Sequence, residues 1–160
     1  MAQAATLTLD VARLNRAVAA FVGRRAPAVA DRMVRAAAFK VGDRIVRSLN
    51  GEEAGYPNPK RIDTGRYRAA WAVGTAMATG TRPAAPGAST ARSGDGLGVT
   101  VGKGATRQIT VTNNVEYGPY VEYGTARMAA GLHVQGALRA VAAEIEDLVA
   151  PHLKRAWREG

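Results

Sequence analysis

Few side chains in this sequence have the type and spacing to do chemistry. Gly102-Lys103-Gly104-Ala105-Thr106 sets a lysine among glycines, as a phosphate-cradling loop does. A glycine follows that lysine where serine or threonine is needed, and the required glycine spacing before it is missing, so a turn is the expectation. His133 and His152 stand 19 residues apart, with no acidic or cysteine companion at metal-ligand spacing. Glu144, Glu146 and Asp147 cluster near Lys154 and Arg155. A working pair of carboxylates needs a cleft and shifted pKa values, whereas this spacing reads as a solvated helix face. The serines are Ser48, Ser89 and Ser93, and none lies in a nucleophile-elbow context. Cysteine is absent, which removes disulfides, thiol nucleophiles and thiolate metal sites together and fits a cytoplasmic origin. The expectation is a protein that is not an enzyme, has no cofactor or metal, and takes no small-molecule substrate.

Two other groups invite a binding role. Lys and Arg number 22 against 13 Asp and Glu, a formal charge of +9. Residues 1–68 carry 13 of the basic and 6 of the acidic side chains, so the excess is concentrated there. Such a balance points to an anionic partner or an acidic protein surface. Arg32, Arg35, Arg44 and Arg47 lie on one predicted helix, and they read either as a solvated face or as contacts to DNA or an acidic neighbour. Phosphate contact needs only well-placed positive charge. No helix-turn-helix, zinc finger or ribonucleoprotein signature is present to read bases. The second group is Tyr117, Tyr120 and Tyr123, at spacing three, with Pro119 and Gly124 shaping the backbone. Tyrosine suits interfaces, because it offers a rigid apolar area with a polar tip. The same rings would also make a small aromatic core cluster.

The elements that must position these residues are legible in part. Thr6-Leu7-Thr8-Leu9 alternates as a short strand would, and Asp10 stands as N-cap for a helix over Val11 to Phe21, with Leu14, Val18 and Phe21 at helical spacing. Pro27 starts a second helix that runs to Leu49, with Val34, Ala38, Val41, Ile45 and Leu49 as its apolar stripe. Gly42 inside it implies close packing, and Asn50-Gly51 ends it. Residues 50–62 form a loop. Asp63 or Thr64 caps a short helical piece through Arg66, Arg68 and Ala70, and Trp71 to Thr75 reads as strand-like. Residues 79–96, rich in Gly, Pro, Ala and Ser, read as a flexible or extended loop. Leu97–Val101 and Gln108–Thr112 alternate with period two and predict two strands in a hairpin-like connection. A last helix is expected over about His133 to Trp157, buried through Leu138, Val141, Ile145 and Leu148, with Pro151 either bending it or starting a new turn.

Together these predict one α+β domain over residues 1–160: a small antiparallel or mixed sheet packed against a long N-terminal helix and a C-terminal helix, with a long glycine- and proline-rich loop. No stretch approaches the length of a membrane span, and MAQAATLTLDVARLN lacks the basic start and continuous apolar run of a signal peptide.

The order of segments resembles the HK97 gp10-like family of phage tail-completion or neck proteins. Asp63-Thr64-Gly65-Arg66-Tyr67-Arg68-Ala69-Ala70-Trp71 is similar to that family's D-T-G-R-L-R-x-S stretch. After the strand pair ending in Val111-Thr112-Asn113, Tyr117-Gly118-Pro119-Tyr120-Val121-Glu122-Tyr123-Gly124-Thr125 is close to its Y-A-x-Y-V-E-F-G-T. The sequence departs from the family's proline-rich M-P-A-R-P-F-L continuation at Met128 to Leu138, as a domesticated phage-like particle such as a gene transfer agent would allow. The resemblance implies a virion component at the neck or top of the tail: a ring of copies that completes the tail or joins it to the head, touching adjacent neck and tail proteins. Double-stranded DNA would pass through it without sequence specificity. Tail terminator and other neck rings remain alternatives, as does a non-specific basic nucleic-acid-binding module. The implied interface residues are Arg66, Arg68, Tyr117, Tyr120, Glu122 and Tyr123, and no membrane is involved.

Overall fold

In a computed structural model of the chain, the described residues are 25–53, 65–87, 90–102 and 108–159, with Gly23. The expected strand at Thr6–Leu9, the helix from Val11, the caps Asp63 and Thr64, and Lys103 lie outside them.

Helix α1 spans Ala26–Leu49, with Pro27 in its first turn, where a missing backbone N–H costs nothing. Its C-terminal half is the buried half: Gly42, Ile45, Val46, Ser48 and Leu49 face the core. At Asn50-Gly51 the backbone turns back, and the Gly51 N–H reaches the Ser48 carbonyl at 3.0 Å. The close packing implied by Gly42 is observed: a Cβ there would sit 2.1 Å from Thr75 Oγ1.

Helix α2, Arg66–Thr79, corrects two expectations. The short helical piece continues through Trp71 to Thr75, which is helix and not strand. The weak alternation there has no meaning, because α2 lies between α1 and the sheet and is buried on nearly every side. A helix so placed needs no polar stripe. Its sequence, RYRAAWAVGTAMAT, is rich in alanine, the strongest helix former. It ends at Gly80 (φ 82°), whose N–H reaches the Ala76 carbonyl at 2.8 Å. Arg35 of α1 donates to the Ala78 carbonyl at 2.8 Å, placing a cation at the negative end of the helix.

Strands β1, Gly96–Val101, and β2, Gln108–Asn113, form an antiparallel pair with Val99 opposite Thr110. The inward face carries Gly96, Gly98 and Thr100 with Ile109 and Val111. The outward face carries Leu97, Val99 and Val101 with Gln108, Thr110 and Thr112. Gly98 lets the sheet lie on α2, since a Cβ would come within 2.1 Å of the Gly74 carbonyl oxygen. The predicted antiparallel sheet between N- and C-terminal helices is therefore present.

Between α2 and β1 the described residues, 80–87 and 90–95, are irregular. Ala85 and Ala91 pack on the core, and the Asp95 carboxylate accepts the Arg92 N–H at 2.7 Å.

Helix α3, Gly118–Tyr123, is one short turn after the hairpin. The expected last helix is two: α4, His133–Ala143, and α5, Ile145–Arg158. The break falls at Glu144, and Pro151 sits inside α5. Leu138 and Ile145 are exposed and Leu148 is half-exposed. The buried positions are His133, Ala137, Val141 and, on α5, Ala156. The break allows both helices to lie on α1, and Arg44 of α1 holds it through Glu144 at 3.0 Å. The core joins Ile45, Val46 and Leu49 of α1, Tyr67, Ala70 and Trp71 of α2, and Val115, Val121 and Ala137.

Candidate assembly surface

The two family-like segments meet at the N-terminal end of α2. Gly65 (φ 73°) precedes the helix, leaving its first N–H groups without helical partners. The Tyr117 hydroxyl accepts the Tyr67 N–H at 3.3 Å. The Tyr67 ring stands edge-on to Trp71, with centroids 6.2 Å apart, and tilts against Tyr117 at 6.3 Å. Burial pushes the Tyr67 phenol up to about 12. The Asn113 side chain then donates to the Tyr67 carbonyl at 2.8 Å, tying β2 to the same turn.

Arg66 grips Asp95 with two parallel bonds, 2.7 and 2.6 Å, and reaches Glu116 at 2.9 Å. The fork geometry is the strong form of this pairing. It holds the Asp95 carboxyl below the usual carboxylate range and raises the Arg66 guanidinium. Arg68 turns inward and is only 4% exposed. It donates to the Asn50 side chain and, at 2.6 Å, to the Pro86 carbonyl, joining the end of α1, α2 and the 80–95 stretch. Burial among these neutral acceptors lowers its pKa.

Glu122 also turns inward. Its Oε1 accepts the N–H groups of Val134 at 2.7 Å and Gln135 at 3.3 Å, so it caps the first turn of α4 from 12 residues upstream. Burial raises its pKa, while the backbone donors pull it back down. Ser48 gives its proton to the Ile45 carbonyl at 2.8 Å, which makes His133 Nδ1, 2.9 Å away, the donor to the Ser48 oxygen. His133 is thus a core residue at the head of α4.

With Glu122 pinned inward, its helical neighbours project outward: Tyr120 is 58% and Tyr123 75% exposed. The three tyrosines therefore do not share a face. Tyr117 belongs to the core cluster, and Tyr120 and Tyr123 to the surface. Gly124 (φ 77°, ψ −171°) releases the chain into the Thr125–Met128 turn, where a Cβ would lie 2.3 Å from the Met128 carbonyl oxygen.

The arginines of α1 divide similarly. Arg35 pairs with Asp31 at 2.8 Å, Arg44 with Glu144, and Arg47 with Glu53 at 3.2 Å. Arg32 is exposed. It belongs to a cationic end that sequence reading missed, where α5 returns beside the start of α1. Arg25 donates to the Ala156 carbonyl at 3.5 Å. Arg155 bonds the Glu159 carboxylate at 2.6 Å and holds it low, with smaller contributions from Arg32 and Arg25. Lys154, Arg155 and Arg158 are exposed on the same turns of α5. No spacing within α1 could have revealed this cluster, because half of it comes from residues more than 120 positions away.

The model of the HK97-gp10-like family, "Bacteriophage HK97-gp10, putative tail-component", matches residues 12–124. The chain belongs to this family. The match contains the first motif segment and the second as far as Gly124, and ends ahead of the stretch where the sequence departs from the family pattern. A structural role in a phage-type tail comes with membership. Among the described residues no three His, Cys, Asp or Glu side chains are placed to hold a metal ion. Among them, too, no helix is long and apolar enough to cross a membrane. No curated protein and no solved structure matches the chain.

Proposed function

We propose that the chain is one subunit of a ring at the neck or the top of the tail. There it completes the tail or joins it to the head, with double-stranded DNA passing through the ring. Copies of itself and the adjacent neck and tail proteins are its partners, and the phage or phage-like particle is its location. Within the tail family, the observation that carries this reading is the cationic end: Arg25, Arg32, Lys154 and Arg158 gathered around the Arg155–Glu159 pair. Such a surface attracts phosphates without reading bases. The remaining α1 arginines have intramolecular carboxylates and are the lesser candidates for DNA. Tyr120 and Tyr123 are the aromatic contacts offered to a neighbouring protein.

Electron microscopy of intact particles tests the reading. The expected map shows this chain as a ring between portal and tail tube with α5 toward the lumen. Charge reversal at Arg32 and Arg158 should then weaken DNA retention while leaving the isolated protein folded. Absence of the chain from particles would overturn the proposal. Steeply salt-dependent DNA binding by the isolated chain would then favour a free nucleic-acid-binding module, the reading that the net charge of +9 also supports.

A further inference from the structure

The two paired strands are unusual for this protein in carrying no charge, Lys103 and Arg107 belonging to the connection between them. Neither Gly96–Val101 nor Gln108–Asn113 holds a single Lys, Arg, Asp or Glu, in a chain with a net charge of +9. Edge strands are ordinarily protected by lysines, prolines or bulges, and this pair has none of them in its unbroken register. Its outward row of Leu97, Val99 and Val101 is about half exposed, with Val99 at 55%. Elsewhere on the molecule, an open apolar groove of about 310 Å³ runs between α1, β2 and α4. Val41, Ile45, Ile109, Val111, Val134 and Leu138 line it, and its walls too are uncharged.

We infer that the outward hairpin face of one copy seats in the α1–β2–α4 groove of the next. The inference rests on the ring reading for its partner, a second copy. Identical cationic subunits repel one another, so their junction belongs where charge is missing; both surfaces are uncharged, and the hairpin face is apolar along β1 with Gln108, Thr110 and Thr112 beside it. Their lengths agree. Leu97 to Val101 spans four strand rises, about 13 Å. The α1 wall from Ala38 to Ile45 spans seven helical rises, about 10 Å. The groove takes the inward residues Ile109 and Val111, whereas the docking row points outward, so donor and acceptor lie on opposite faces of one hairpin. Such a contact repeats head to tail, and it forms a ring where the rotation between copies closes. Three half-exposed side chains fall short of the roughly 800 Å² per partner of a stable pair. A single junction is therefore weak, and closure stabilises the set.

The absence of cysteine permits a clean test on the full chain. Val99 and Leu138 are both exposed, so V99C and L138C leave the core intact. Under mild oxidation the double variant should give a ladder of disulfide-linked dimers, trimers and larger species. An equimolar mixture of the single variants should stop at the dimer. Each single variant alone should cross-link no more than E146C, an exposed control on α5. Rapid dimerisation of V99C alone would show hairpins meeting face to face, and a ladder no stronger than the control would show no such contact. Either result overturns the inference. A ring seen in particles without the ladder would remove this junction and leave the ring itself standing.

Discussion

The α2 N-terminal end and the hairpin's outer face are opposite solutions to being partly exposed. The first is crowded with charge and hydrogen-bonding groups, and the described contacts spend most of them inside the chain: Arg66 on Asp95 and Glu116, Arg68 on Asn50 and Pro86, Glu122 on the head of α4. The second has no charge and leaves three apolar side chains open. The polar residues that make the family-like segments recognisable are therefore mostly scaffold. The surface best suited to a neighbour is a run of valines and threonines that no motif marks.

The largest effect should come from breaking the layer that joins the two regions. G98V drives a side chain into the Gly74 carbonyl, which is backbone and cannot rotate away. A destabilisation of about 3 kcal/mol, or roughly 10 °C in Tm, is the expected outcome in thermal denaturation. An unchanged Tm would mean that the hairpin does not lie on α2 as described.

Next comes Glu122. E122A strips the cap from α4 and should cost about 2 kcal/mol. E122Q keeps an acceptor oxygen and should cost about half of that. The raised folded pKa fixes the sign of the pH effect. The protonated carboxyl is favoured in the folded state, so this group's contribution is fully present below the ordinary carboxylate range and is lost as pH rises through its folded pKa. Urea unfolding of wild type and E122Q across that range should show a decline in the first and none from this group in the second.

Asp95 gives a smaller effect of opposite sign. Its folded pKa is depressed by the Arg66 fork, so its stabilisation is present above the unfolded pKa and is lost as pH falls through the folded one. D95N should make the acid limb of the stability profile shallower, measured by the same titration. If the limb is unchanged, other carboxylates govern acid unfolding.

How much of this was legible depended on whether local pattern and burial agreed. The strands were, because one face packs on α2 and period two survives in the burial of Ile109 and Val111. Helix α1 was, from Pro27 to Asn50. Helix α2 beyond Ala70 was not, since a helix buried all round loses its polar stripe. The break at Glu144 was not legible, because no proline or glycine marks it and Pro151 is accommodated inside α5. Among site residues, spacing pointed to the tyrosines and the family-like segments to Arg66 and Glu122, but neither tells which of these side chains turns inward. The inward turn of Glu122 depends on a helix start 11 residues later in the chain, and nothing local announces that it packs there. The cationic end likewise exists only through the return of α5 to α1.

The smallest effect on stability, and the sharpest on the comparison, belongs to Tyr123. It lies one residue after the buried Glu122 and makes the opposite use of its position, at 75% exposure. Y123A should change stability by no more than about 0.5 kcal/mol, because the ring covers little of the core. Tyr117, six residues earlier, packs on Tyr67 and accepts its N–H, so Y117F should register in Tm through the lost cap alone. If incorporation into particles falls in Y123A while Tm holds, the outward ring serves a neighbour. If Tm falls with it, Tyr123 belongs to the scaffold with Arg68 and Glu122, and the division between an inward motif and an outward surface fails at the residue where it was drawn.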